Sequence, residues 1–80
     1  MQSTNYRPQV LSFQPAVVPN VRHLRRATGI TQQSLADRVG VDRLTVRRWE
    51  AGTRPIPHHH RPQLAEMFGC SEAYLLGTAA

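Results

Sequence analysis

Arg43, Arg47 and Arg48 stand close together in the stretch Asp42-Arg-Leu-Thr-Val-Arg-Arg-Trp-Glu-Ala51. Arginine offers paired N–H donors on a planar fork, a shape that fits guanine O6 and N7 or two oxygens of a phosphate. If this stretch is a helix with Val46 and Trp49 turned inward, then Asp42, Arg43, Leu44, Thr45, Arg47 and Arg48 face outward. The chemistry on that face is recognition of an anion, with no bond-making step. Three arginines on one short helix suit the major groove of duplex DNA.

Other reactive residue types lead nowhere comparable. His58-His-His60 invites a metal reading, but consecutive residues on a helix diverge, and no CxxC or HxxxH partner lies nearby. The three are expected to be polar loop residues or helix-start contacts to phosphate, with no metal. The acids are Asp37, Asp42, Glu50, Glu66 and Glu72, and several are expected to act in capping or pairing. No nucleophile–base arrangement emerges, so an enzyme is not expected, nor a cofactor.

Composition agrees with a basic binding module. The chain has 80 residues, ten Arg and no Lys, five acids and a formal charge of +5. Such a balance attracts a polyanion, either nucleic acid or an anionic membrane. One small domain of this size buries little apolar surface, and a deep catalytic cleft is not expected. The lone Cys70 cannot form an internal disulfide, which points to a reducing, cytoplasmic setting. No apolar run approaches the roughly 20 residues that span a bilayer, and Met1 to Tyr6 lacks the order of a signal peptide.

Five short helices would have to position these groups, giving an all-α bundle. Asn20 is expected to cap the first, with Val21, Leu24 and Thr28 on one face and Gly29 as its stop. Thr31 caps the second, whose Leu35, Ala36 and Val39 share a face before Gly40. Asp42 caps the third, and Gly52 follows its end. Arg54-Pro-Ile-Pro57 reads as a rigid connector. The fourth helix begins near Arg61, because Pro62 tolerates only a first turn, and carries Leu64, Ala65, Met67 and Phe68. Ser71 caps the fifth, where Tyr74 and Leu75 are expected to complete the core while Leu76 is left for a partner. Cys70 fills a helix junction.

Residues 1–19 differ from the rest. Pro8, Pro15 and Pro19 interrupt apolar residues that lack a helical period, so an extended or flexible arm is expected. Residues 20–77 form the domain, and 78–80 a short tail.

Gln32 to Ala51 has the arithmetic of a helix-turn-helix. Ala36 sits where two helices approach closely, and Gly40 occupies a sharp turn that calls for positive φ. Val46 faces back toward Ala36, while Leu35, Val39, Val41 and Trp49 complete the apolar positions.

Thr31-Gln-Gln-Ser-Leu-Ala-Asp-Arg-Val-Gly-Val41 and Thr45-Val-Arg-Arg-Trp-Glu-Ala-Gly52 resemble the lambda-repressor-like, Cro/Xre-type helix-turn-helix family. The resemblance continues through Leu64-Ala-Glu-Met-Phe-Gly69 and Ala73-Tyr-Leu-Leu-Gly77. The stretch from Arg54 to Arg61 departs from the family pattern, and the arm has no counterpart in it. The resemblance implies a bacterial or phage transcriptional regulator, most often a repressor, that binds double-stranded DNA as a homodimer. It implies base contacts from Arg43, Leu44 and Arg48, with Leu44 against a thymine methyl, and Arg47 on a phosphate or an adjacent base. Thr31, Gln32, Thr45 and Arg54 are expected at phosphates, and Arg25 and Glu50 as a structural ion pair. Of the remaining arginines, Arg7 rides on the arm, while Arg22, Arg26, Arg38 and Arg61 stay unsorted between phosphate contact and solvation. The rival reading is a protein-interaction module, an antitoxin or adaptor whose arm binds a protein.

Overall fold

A computed structural model describes residues 19–78. The readings made for the arm before Pro19, and for the last two residues of the tail, lie outside the described residues. Five α-helices make up the rest: α1 Val21–Thr28, α2 Gln32–Val39, α3 Arg43–Ala51, α4 Arg61–Phe68 and α5 Glu72–Leu76. A single 3-10 turn, His58–His60, leads directly into α4. Among the described residues there is no strand, and the domain is all-α as its pattern indicates.

Local chemistry sets the helix ends. Thr31 Oγ1 accepts from the Ser34 N–H at 3.0 Å, Asp42 Oδ1 from Thr45 at 2.8 Å, and Ser71 Oγ from Tyr74 at 3.0 Å. Each cap answers one of the N–H groups that a helix start leaves unpaired. Gly40 closes α2 at φ +80°, and the Gly40 and Val41 N–H groups both return to the Ala36 carbonyl. That left-handed residue turns the chain within three residues and lays α3 across α2. Among the described helices these two pack most extensively against each other. Ala36 and Val46 are both fully buried, so the crossing closes on a small side chain and a β-branched one.

Val21, Leu35, Trp49, Leu64 and Leu75 complete the centre of the core, together with Val39 at its edge. Leu24, Ile30, Val41, Met67, Phe68, Cys70 and Leu76 pack around it half-buried. Burial pushes the Cys70 thiol above its usual pKa, as suits a small apolar filler. Leu76 lies against the core and is not left wholly to a partner.

Three expectations are corrected. Asn20 stands at the N-cap of α1, but its side chain makes no cap bond: its Nδ2 donates to the Tyr74 carbonyl at 2.6 Å, and its N–H to the Leu75 carbonyl at 2.8 Å. It ties the two ends of the domain together, a long-range role that outweighs its local propensity. Thr28 is exposed, its hydroxyl donating back to the Leu24 and Arg25 carbonyls. Tyr74 is 40% exposed, because α5 is little more than one turn and buries only Leu75 completely.

The connector also holds more than its prolines suggest. Ile56 is 1% exposed, and the Ile56 carbonyl accepts from Arg61 Nε at 2.9 Å. Pro57 holds the chain extended on the far side of Ile56, which enters the core as a plug. Ile56→Ala is expected to cost about 3 kcal/mol, read as a lower urea midpoint. Against the ~3–9 kcal/mol total of a domain this small, that loss would leave it close to unfolding.

Candidate nucleic-acid interface

The outer side of α3 faces an open groove of about 790 Å³. Arg43, Leu44, Arg47 and Arg48 line it from α3, and Thr31 and Gln32 from the start of α2. All four α3 residues are exposed, and Leu44, at 46%, is a bare aliphatic side chain among guanidinium groups. A helix with its side chains is about 10–12 Å across, close to the ~12 Å width of the DNA major groove.

What fixes α3 in place is a buried acid at its far end. Glu50 is 8% exposed and receives three hydrogen bonds from two other elements. Arg25 of α1 donates through Nε to Oε2 at 2.6 Å and through Nη2 to Oε1 at 3.3 Å. Gln32 of α2 donates through Nε2 to Oε1 at 3.0 Å. Arg25 Nη1 also donates to the Ile30 carbonyl at 2.9 Å, which fixes the turn between α1 and α2. Both charges are largely withdrawn from water, with side-chain exposures of 12% and 5%. Their hydrogen bonds offset that desolvation only as a complete set.

Gln32 therefore has a role its position alone does not reveal. One Nε2 hydrogen serves Glu50, and a phosphate would have to use the other, or the backbone N–H groups that open α2. Thr31 accepts from Ser34, and its hydroxyl hydrogen is left for a donor contact. Thr45 differs: its hydroxyl donates to Asp42 Oδ1 at 2.7 Å, so in this rotamer it offers phosphate no donor. That side-chain bond, then the Thr45 N–H, then Arg48 and Arg54 hold the Asp42 carboxyl below its usual pKa. Arg54 does not line the large groove. It borders a separate, mainly apolar hollow of about 320 Å³ with Pro19, Ile56 and Leu76, and Thr53 takes the groove position beside it. The loop is the element the sequence singles out; the residue reaching the groove is its neighbour.

Gln32 to Ala51 therefore holds two crossed helices joined by a glycine turn, the second exposed and basic. A family model described as a helix-turn-helix domain matches residues 20–75. The chain belongs to the helix-turn-helix domain family. No curated protein and no solved structure matches it. Among the described residues, no helix is long and apolar enough to cross a membrane.

Behind the second helix of this helix-turn-helix lies the histidine run. His60 packs against Trp49, ring centroids 5.4 Å apart and tilted by 55°, and His59 lies against His60 at 4.0 Å, tilted by 40°. His58 Nδ1 lies 3.2 Å from Arg61 Nη1, so the three rings serve different neighbours. Arg61 is thereby assigned: it ties the 3-10 turn to α4 and to Ile56. Trp49, fully buried, fills the space between α3 and the start of α4, and its indole N–H has no hydrogen-bond partner among the described residues. Burial of His60, and secondarily the charge of His59, lower the His60 pKa from 6.5, against a raising contribution from Gln63.

Two outcomes follow from this support. Arg25→Ala leaves Glu50 buried without its cation and is expected to cost about 3 kcal/mol, lowering Tm and duplex affinity together. Unchanged Tm with weakened binding would make Arg25 a direct ligand instead. For His60, the unfolded chain binds the proton more readily than the folded one, so acid favours unfolding. The urea midpoint should fall as pH drops through 6.5 and level off below the folded-state pKa. His60→Gln should flatten that dependence.

Proposed function

We propose that this chain is a sequence-specific, double-stranded-DNA-binding regulator of the lambda-repressor-like type, acting as a bacterial or phage transcriptional repressor. The observation that carries the proposal is the exposed quartet Arg43, Leu44, Arg47 and Arg48 on one helix that Glu50 locks to α1 and α2. Residues 20–77 are the DNA-binding unit, and α3 lies in the major groove. Arg43 and Arg48 take guanine O6 and N7, Leu44 packs on a thymine methyl, and Arg47 binds a phosphate or a neighbouring base. Thr31, with the opening N–H groups of α2 and the second Nε2 hydrogen of Gln32, holds the sugar-phosphate backbone. Arg54 adds a phosphate contact from the loop after α3, and Thr45 joins only by turning its hydroxyl away from Asp42.

So small a reading head touches few base pairs. Useful affinity then requires two copies on two half-sites, about 34 Å apart, one turn of the duplex. If about five phosphates are neutralised per protomer, log K falls against log salt with a slope of about −4 to −5.

Selection of bound sequences from random duplexes, at one stated salt concentration, tests the proposal. Enrichment of a two-fold symmetric site with half-sites one turn apart is the expected result. Recovery of no preferred sequence, at any protein concentration that binds, would overturn it. Arg43→Ala and Arg48→Ala should each cost about 1–3 kcal/mol on the selected site and relax preference at one base pair. Equal losses on every duplex would mark those side chains as phosphate ligands.

A further inference from the structure

The groove has a second basic wall that the reading above does not use. Arg22 and Arg26 of α1 line the same concavity as the α3 quartet. With Gly29 they recur at i, i+4 and i+7, a single stripe along one side of the helix. Elsewhere on α1 Val21 is buried, and Arg25, which also borders the groove, turns to Glu50. His23 and Ala27, also exposed, do not line the groove.

Local stability does not account for this stripe. Arg22 sits in the first turn of α1, where the helix dipole disfavours a cation and where no acid balances it. Arg22 and Arg26 repel each other at i, i+4. Among the described residues neither has an acidic partner, and the one acid lining the groove, Glu50, is engaged by Arg25 and Gln32. Arg26 does sit well for the dipole, near the end of α1, but that would be so on any face of the helix. Exposed cations that face other cations repel one another weakly through water and attract a polyanion laid between them.

We propose that Arg22 and Arg26 form a phosphate clamp, binding the strand that flanks α3 when α3 occupies the major groove. The inference rests on the DNA-binding reading and adds to it two ligands on a helix outside the helix-turn-helix pair. Four residues of helix separate the two guanidinium groups by about 6 Å along the axis, so they address successive positions of one strand. Contacts of this kind carry no sequence information; they set affinity and register.

The experiment is a salt titration of full-chain affinity for a random-sequence duplex and for the selected site, by fluorescence anisotropy. Arg22→Gln and Arg26→Gln should each reduce the salt slope by about 0.9, and the double variant by about 1.8, equally on both duplexes. Arg38→Gln removes one positive charge from an exposed residue of α2 that does not line the groove, and should leave the slope unchanged. Thermal melts of the free proteins should show Arg22→Gln as stable as the parent or more so, which a structural role would not allow. A double variant with the parental slope, or Arg38→Gln with a loss equal to that of Arg22→Gln, would overturn the clamp while leaving DNA binding intact. A parent chain that binds neither duplex would overturn the DNA-binding reading, and the clamp with it.

Discussion

Glu50 is a carboxylate taken out of water at the end of the helix that carries the exposed arginines. Withdrawing it is unfavourable by itself, and it becomes tolerable because Arg25 and Gln32 reach it from two other helices. The consequence is geometric as much as energetic. A hydrophobic core holds α3 against α2 but resists sliding and rolling only through shape. Directed bonds from α1 and α2 to one carboxylate fix the rotation of α3 about its own axis. That rotation decides which side chains face the groove.

The same end of the molecule is braced from behind. Trp49, the neighbour of Glu50 in sequence, is packed by His60, which arrives there through a proline-fixed connector anchored by Ile56. The fold therefore devotes residues from α1, α2, the connector and the 3-10 turn to the orientation of one nine-residue helix. In return that helix is free to present arginines and a leucine outward, an arrangement that contributes little to stability. Like charges gathered in one groove lower the stability of the free domain and raise its attraction for a polyanion. Supporting hydrogen bonds and exposed repulsion are complementary: the first keeps the second from distorting the site.

Legibility in the sequence followed the range of the interaction. Caps at Thr31, Asp42 and Ser71, the turn at Gly40 and the small-against-branched crossing of Ala36 and Val46 are set by near neighbours, and spacing alone exposes them. So does the outward set on α3, since Val46 and Trp49 define the inner face. Features that depend on distant partners were hidden. Nothing local to Gln32 shows that its amide meets Glu50, 18 residues away, and Asn20 carries every local mark of a cap while bonding to α5. Ile56, between two prolines, looks like part of a loop because no periodicity surrounds it. Arg22 and Arg26 could be counted as charge but not placed, for only the packing of α1 against α3 turns them toward the groove.

In the proposed complex α3, held by Glu50, reads base edges in the major groove. Guanine N7 methylation of the bound, selected duplex probes that edge directly. Protection of guanines in both half-sites is the expected result, with Arg48→Ala restoring reactivity at one guanine in each and leaving the others protected. A saturated complex in which every guanine N7 remains as reactive as in free DNA would contradict it.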